Sequence, residues 1–269
     1  MDNRAIGIFD SGLGGLTALA ALRRLMPNEN LIYFADSARV PYGGRAAEEL
    51  RKMTAQDLDF LASFSVKAIL AACGTASSTA ADVLDAYPLP VFGVLRATVG
   101  AVAAEDDGGP VAVIATEASI RAGSFKRALE KALPGREVIA LACPDFVPLI
   151  EGGHIEASDP RLKTAVSSCL GPLRSAGVSS LVLGCTHYGI IGEAIAAYLG
   201  PSVRLVSASE CAAKELREHL VSEELTGGQG ETRYFTSGSV SAFSRSASAL
   251  LGGADVRAEQ ASLMEVKDI

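Results

Sequence analysis

The sequence holds no uninterrupted apolar stretch that reaches the roughly 18–20 residues of a membrane span. It holds no basic cluster longer than Arg23-Arg24, and its net charge of −7 and pI near 5.1 argue against a nucleic-acid surface. No CxxC pair occurs, and three histidines without HxxxH or Cys-His grouping exclude the usual structural zinc patterns. Five cysteines (Cys73, Cys143, Cys169, Cys185 and Cys211) at irregular spacing give no disulfide framework. Nor is there a basic-then-apolar leader, because Met1-Asp-Asn-Arg runs straight into an apparent strand at Ala5-Ile-Gly-Ile-Phe9. The expectation is a cytoplasmic protein with no membrane and no nucleic-acid partner, its thiols kept reduced.

What is present is a chain of 269 residues, 49% hydrophobic and 20% charged, with ample material for a packed core. That length favours two domains of ordinary size. Short apolar runs alternate with amphipathic or Ala-rich stretches, the pattern of an α/β fold with mainly parallel sheets. Strands are expected at 5–9, 31–35, 67–72, 90–94, 111–115, 137–142, 179–183, 203–206 and 233–236. An internal echo is visible: Ile6-Gly-Ile-Phe-Asp10-Ser11 and Val111-Ala-Val-Ile-Ala115-Thr116 are both strands ending in small polar residues. Two similar halves related by a pseudo-twofold follow, with Glu105-Asp-Asp-Gly-Gly-Pro110 as the linker.

The same echo carries the most informative residues. Val66-Lys-Ala-Ile-Leu-Ala-Ala-Cys73-Gly-Thr75 and Val178-Ser-Ser-Leu-Val-Leu-Gly-Cys185-Thr186-His187 each set a thiol seven residues after a valine, at the end of an apolar run. Each cysteine then lies at the carboxyl end of a buried strand, where open α/β sheets bind ligands. A thiol leading into a helix is expected to ionise more readily. Thr75 and Thr186 offer hydroxyls, and His187 is a titratable neighbour of Cys185. Two equivalent thiols facing a substrate from opposite sides suit removal of a proton from one face of a carbon and its return to the other. A cysteine hydrolase or transferase, and a purely structural role, remain open on these residues alone.

Three further segments attract attention. Asp10-Ser11-Gly-Leu-Gly14-Gly15 follows the first strand, but a carboxylate ahead of the glycines does not suit a dinucleotide fingerprint. Asp10 caps a helix or, with Ser11, contacts a small polar ligand. Pro41-Tyr42-Gly43 forms a turn after the second strand, and its place at that strand's carboxyl end makes its backbone amides candidate donors to a carboxylate. Glu151 precedes a glycine loop and on these residues reads first as a solvated helix-end carboxylate. Cys169 and Cys211 sit on helix faces, Cys143 ends a strand, and His154 and His219 read as surface residues.

Together, Ile6 to Thr17, Tyr33-Phe-Ala-Asp-Ser-Ala-Arg-Val-Pro-Tyr-Gly43, Ala72-Cys-Gly-Thr-Ala-Ser77, Ala142-Cys-Pro-Asp-Phe-Val-Pro-Leu-Ile-Glu151 and Leu183-Gly-Cys-Thr-His-Tyr188 resemble the glutamate racemase family, in the family's order. The similarity runs from residue 5 to about 251, with Tyr234-Phe-Thr-Ser-Gly238 similar to the family's last strand. The resemblance implies a cofactor-independent, metal-free enzyme that interconverts L- and D-glutamate for peptidoglycan. It implies two α/β domains, 1–97 plus 207–269 and 98–206, with the site at their interface. Carried over by motif, Cys73 and Cys185 are the opposed bases, tuned by Asp10 and His187. Ser11, Pro41, Tyr42, Gly43, Gly74, Thr75, Thr186 and Glu151 lie at the substrate, and a homodimer is compatible with the family.

This chain departs from the family pattern at several positions. Gly74 stands where the family usually has Asn, Arg96-Ala97-Thr98 where Glu-Pro-Gly is common, Ser119 for Thr, Gly189 for Pro and Ser207 for Asp. The proton-transfer residues are retained while substrate contacts are altered. Weakened or redirected activity on aspartate or another substrate, and a racemase-derived regulator that binds DNA gyrase, stand as alternatives.

Overall fold

The computed structural model describes residues 1–263; the end of the expected first domain, 264–269, lies outside the described residues. Ten strands follow in chain order: β1 (Ile6–Asp10), β2 (Leu31–Ala35), β3 (Ala68–Ala71), β4 (Val91–Gly93), β5 (Val111–Ala115), β6 (Val138–Ala142), β7 (Ser180–Leu183), β8 (Arg204–Ser207), β9 (Thr232–Thr236) and β10 (Ala258–Gln260). They form two sheets, ordered β10-β9-β2-β1-β3-β4 and β6-β5-β7-β8, in which every pairing is parallel.

The second sheet repeats the first in topology, since β6-β5-β7-β8 follows the same order as β2-β1-β3-β4. The echo between Ile6–Asp10 and Val111–Ala115 is thus an echo between two central strands. All residues of both are buried, as parallel strands covered by helices on both faces require. The tail returns to the first sheet, where β9 pairs with β2 from Leu31↔Thr232 to Ala35↔Thr236.

Helices cover both faces because their apolar residues recur at helical spacing. In helix Pro160–Ser175, Leu162, Val166, Leu170 and Leu173 make the buried stripe; Asp159 caps it by accepting from Arg161 N at 2.7 Å, and Pro160 occupies the first turn. Helix Ala208–Ser222 starts at Ser207, whose Oγ accepts from Glu210 N. Helices Leu16–Leu25 and Ala208–Ser222 cover one face of the first sheet, and helix Ala47–Ala62 covers the other. Helix Val94–Ala104 bridges the two cores: Val94 and Ala97 pack into the first, Val102 into the second. None of the described helices is long and apolar enough to cross a membrane.

Among the elements that escaped the sequence reading are a strand and an α-helix. Strand β10, Ala258-Glu259-Gln260, is a short, half-exposed edge strand with no apolar run to announce it. Helix Phe146–Glu151 is one and a half turns long and carries Pro148 in its first turn, where a missing N–H costs nothing.

Candidate active site

In both sheets the chain reverses its order of strand addition beside the first strand of the unit, between β1 and β3 and between β5 and β7. Such a switch point opens a crevice at the carboxyl ends of the strands. The residues leaving those strands are Asp10-Ser11 after β1, Cys73 after β3, Thr116 after β5 and Cys185 after β7. All five line one cavity of about 520 Å³. Pro41, Tyr42, Gly43, Gly74, Thr75, Glu151, Thr186 and His187 line it as well, so every site residue expected from sequence is brought together.

The two thiols are buried in different surroundings. Cys73 ends in an extended conformation and opens the short helix Gly74–Thr79. Burial pushes its thiol up to about 12, the charge of Asp10 adds to that, and hydrogen bonds from Ala76 and Ser11 oppose it only in part. The lowered pKa expected at a helix start is therefore overturned for Cys73, because one short helix end does not offset desolvation beside a carboxylate. Cys185 instead has His187 Nδ1 3.8 Å from its Sγ, and His187 Nε2 lies 3.2 Å from Glu151 Oε1. Burial alone would lower the imidazole's pKa; the hydrogen bonds to Cys185 and Glu151, with the charges of Cys185 and Asp10, outweigh it and raise the value to about 10. An imidazolium is thus placed to balance negative charge on sulfur.

Asp10 does not cap the following helix. Its Oδ1 accepts from Gly12 N at 2.9 Å and its Oδ2 from Thr186 Oγ1 at 3.3 Å, tying the first sheet's switch point to the second's. A second link joins Thr75 Oγ1 to Ser119 Oγ at 3.4 Å. Gly14 is required here, since a Cβ at that position would collide with His187 and Thr186. Thr116 and Ser119 are cavity residues that sequence reasoning did not single out as ligand contacts, although Thr116 holds the place after β5 that Asp10-Ser11 hold after β1.

Cys143 and Cys169 correct another expectation. They are paired as a disulfide, with Cα atoms 6.1 Å apart, joining the end of β6 to helix Pro160–Ser175. The irregular spacing hid a pair that only the packing of that helix on the sheet creates. Cys143 also lines the cavity, and its carbonyl accepts from Tyr188 Oη at 2.9 Å.

Residues 17–216 match the profile of the Asp/Glu/Hydantoin racemase family. The chain belongs to that family. It is 39% identical over 254 residues to a glutamate racemase of Geobacter metallireducens, covering 93% of each chain. With a glutamate racemase of Picosynechococcus it shares 40% over 253 residues, covering 92% of this chain and 88% of that one. Among solved structures, a Bacillus anthracis glutamate racemase superposes with a TM-score of 0.91 at 30% identity, covering 99% of this chain and all of that one. A Francisella tularensis glutamate racemase in complex with D-glutamate gives 0.87 at 36% identity, covering 97% and 98%.

As a member of this racemase family, the chain is an amino-acid racemase, an isomerase with the family's two parallel-sheet α/β architecture. Its departures from the family pattern fall in different places. Arg96 is exposed on helix Val94–Ala104, pairs with Glu215 at 3.4 Å, and lies outside the cavity. Ser207 serves as the helix cap described above, and Gly189 faces Thr17. Ser119 remains in the cavity and bonds Thr116 and Thr75. Gly74 is the departure that changes the site most directly: a Cβ there would sit 2.5 Å from the backbone oxygen of Gly184. The strand end carrying Cys185 therefore occupies space that a side chain at position 74 would need.

Proposed function

We propose that this racemase interconverts L- and D-glutamate without a cofactor, by a two-base 1,1-proton transfer at Cα between Cys73 and Cys185. The observation that supports it most strongly is the topological equivalence of the two sulfurs, each leaving the strand beside its sheet's switch point into one shared cavity. The relatives named glutamate racemase and the D-glutamate complex point to the same substrate. The division into domains 1–97 plus 207–269 and 98–206, a cytoplasmic setting, and D-glutamate supply for peptidoglycan belong to the same reading.

In the resting site Cys73 holds its proton, its thiol being pushed up to about 12, while His187 carries positive charge beside Cys185. One direction of reaction then starts with Cys185 as the thiolate that takes the α-proton, as Cys73 donates its own from the opposite face. The reverse direction starts from the exchanged protonation state. Asp10 and His187 set these two states, and Glu151 orients His187. Ser11, Thr75 and Thr186, with the backbone N–H groups of Tyr42, Gly43 and Gly44, hold the substrate and stabilise charge developing on its α-carboxylate. Substrate filling the cavity between the two buried sulfurs would displace water from it, which strengthens each of these contacts.

Incubation of L-glutamate with the enzyme in D₂O tests the reading: α-deuterium incorporation should accompany loss of optical rotation. Turnover that persists undiminished after removal of either thiol would sink the two-base mechanism. Gly74 supports a second reading, a shifted substrate preference, because the side chain the family usually places there is missing. Exchange measured over a panel of acidic and neutral amino acids separates the two; a better substrate than glutamate would favour the second.

A further inference from the structure

Behind the Pro41–Gly44 segment lies a buried cluster of Asp36, Arg39, Tyr42 and Asp57. Both carboxyl side chains are fully buried, and Tyr42 is 1% exposed. Tyr42 Oη lies 2.6 Å from Asp36 Oδ2 and 2.6 Å from Asp57 Oδ2. Two oxygens approach that closely only with a hydrogen between them. The phenol supplies one hydrogen, so the second contact needs a proton from a carboxyl group.

The partners decide which carboxyl holds it. Asp36 Oδ2 also accepts from Arg39 Nε at 2.6 Å, and its Oδ1 accepts from Ser237 Oγ at 2.8 Å, a set suited to a carboxylate. Beyond Tyr42, Asp57 has Arg39 Nη2 at 2.9 Å from its Oδ1. With both aspartates ionised, the single guanidinium would leave a buried net charge of −1, which is costly. With one protonated the cluster is neutral. Burial first, and then the charge of Asp36, push the Asp57 carboxyl well above the ordinary range, against the lowering effects of Tyr42 and Arg39.

We propose that Asp57 is a neutral carboxylic acid in the working enzyme, donating from Oδ2 to Tyr42 Oη while Tyr42 donates to Asp36, and that this proton makes Asp57 a positioning residue for the Pro41–Gly44 wall of the racemase cavity. The inference rests on the reading that this wall contacts substrate. The titratable or charged groups facing Asp57 are Asp36, Arg39 and Tyr42. Elsewhere on helix Ala47–Ala62, Arg51 holds Asp82 and Asp59 holds Tyr87, on other positions. The short helix Gly74–Thr79 contributes no titratable side chain. As pH rises through the raised value of Asp57, the donated bond is lost and the wall loosens, so KM should rise on the alkaline side.

The test compares Asp57→Asn, Asp57→Ala and Asp36→Asn, with circular dichroism as the check on folding. An Asn side chain reproduces the acid's pattern, with Nδ2 donating to Tyr42 and Oδ1 accepting from Arg39. Asp57→Ala should raise KM about tenfold or more with a smaller change in kcat, as for loss of a hydrogen bond in a charged cluster. Asp57→Asn should restore KM to within about threefold of the wild type and flatten its alkaline rise. Asp36→Asn should behave like the alanine variant, because it removes the carboxylate that balances Arg39, so that Asp57 must ionise in its place and give up the hydrogen it donates to Tyr42. Infrared difference spectra should show a protonated-carboxyl band, shifted in D₂O and absent from Asp57→Asn. A folded Asp57→Asn as impaired as Asp36→Asn, or a wild type without that band, would overturn the proton assignment. A band present with KM unmoved in Asp57→Ala would overturn the positioning role and count against substrate contact by this wall.

Discussion

Cys73 and Cys185 hold equivalent places in two sheets of the same strand order, yet the chain surrounds them with opposite charges. Beside Cys73 stands Asp10, which adds to burial in holding the thiol protonated. Beside Cys185 stands His187, kept cationic up to about pH 10 by its contacts with Cys185 and Glu151. Duplication of a strand–cysteine–threonine unit supplies symmetry of position. The proposed proton relay also needs unequal surroundings, and Asp10 and His187, outside the repeated unit, provide them.

The largest way to break this comparison is to remove a sulfur. Cys73→Ala and Cys185→Ala should each lower racemisation by about 10³-fold or more, the scale of a positioned acid or base. Polarimetry with α-deuterium exchange by NMR checks it, and a strongly unequal loss would end the equivalence. Next comes Asp10→Asn, which should lower the Cys73 midpoint below about 12, toward the ordinary thiol value, by removing a like charge. Alkylation rate against pH reads that midpoint; kcat/KM should fall about tenfold, the equivalent of one pKa unit of altered charge balance.

On the other side, His187→Gln should remove a pH dependence. The folded imidazole's value of about 10 exceeds the unfolded 6.5, so its stabilisation is complete below pH 6.5 and is lost as pH rises toward 10. Urea midpoints across that window should fall in the wild type and stay flatter in the variant. The smallest effect belongs to the contact between the halves. Gly74→Ala and Gly74→Asn force a Cβ against the Gly184 oxygen, so KM should rise about three- to tenfold, the cost of a small overpacking shift. Steady-state kinetics decide this: improved glutamate turnover in Gly74→Asn would show that the two strand ends part freely.

Much of the site was legible because strand ends are legible. Apolar runs ending in Asp10-Ser11, Cys73 and Cys185 mark the carboxyl edges of buried parallel strands, and parallel sheets gather such edges. Less accessible was anything that depends on what packs against a residue. Asp57 reads as one more charge on an amphipathic helix, and nothing local marks its approach to Asp36 and Tyr42. Cys169 reads as a helix-face cysteine until helix Pro160–Ser175 is laid on β6 and meets Cys143. Strand β10 has no hydrophobic period because it borrows its stability from β9 at an exposed edge.

By itself the sequence determined the α/β alternation and the duplicated strand–thiol unit, because periodicity and turn chemistry are local properties of the chain, while the resemblance to the glutamate racemase family implied which residues meet in the cavity. Only the tertiary structure decided the unequal surroundings of the two sulfurs, where Asp57 lies and how little room position 74 has. Those outcomes follow from desolvation, from charges brought together across distant segments and from the closeness of two backbones, none of which a linear string contains.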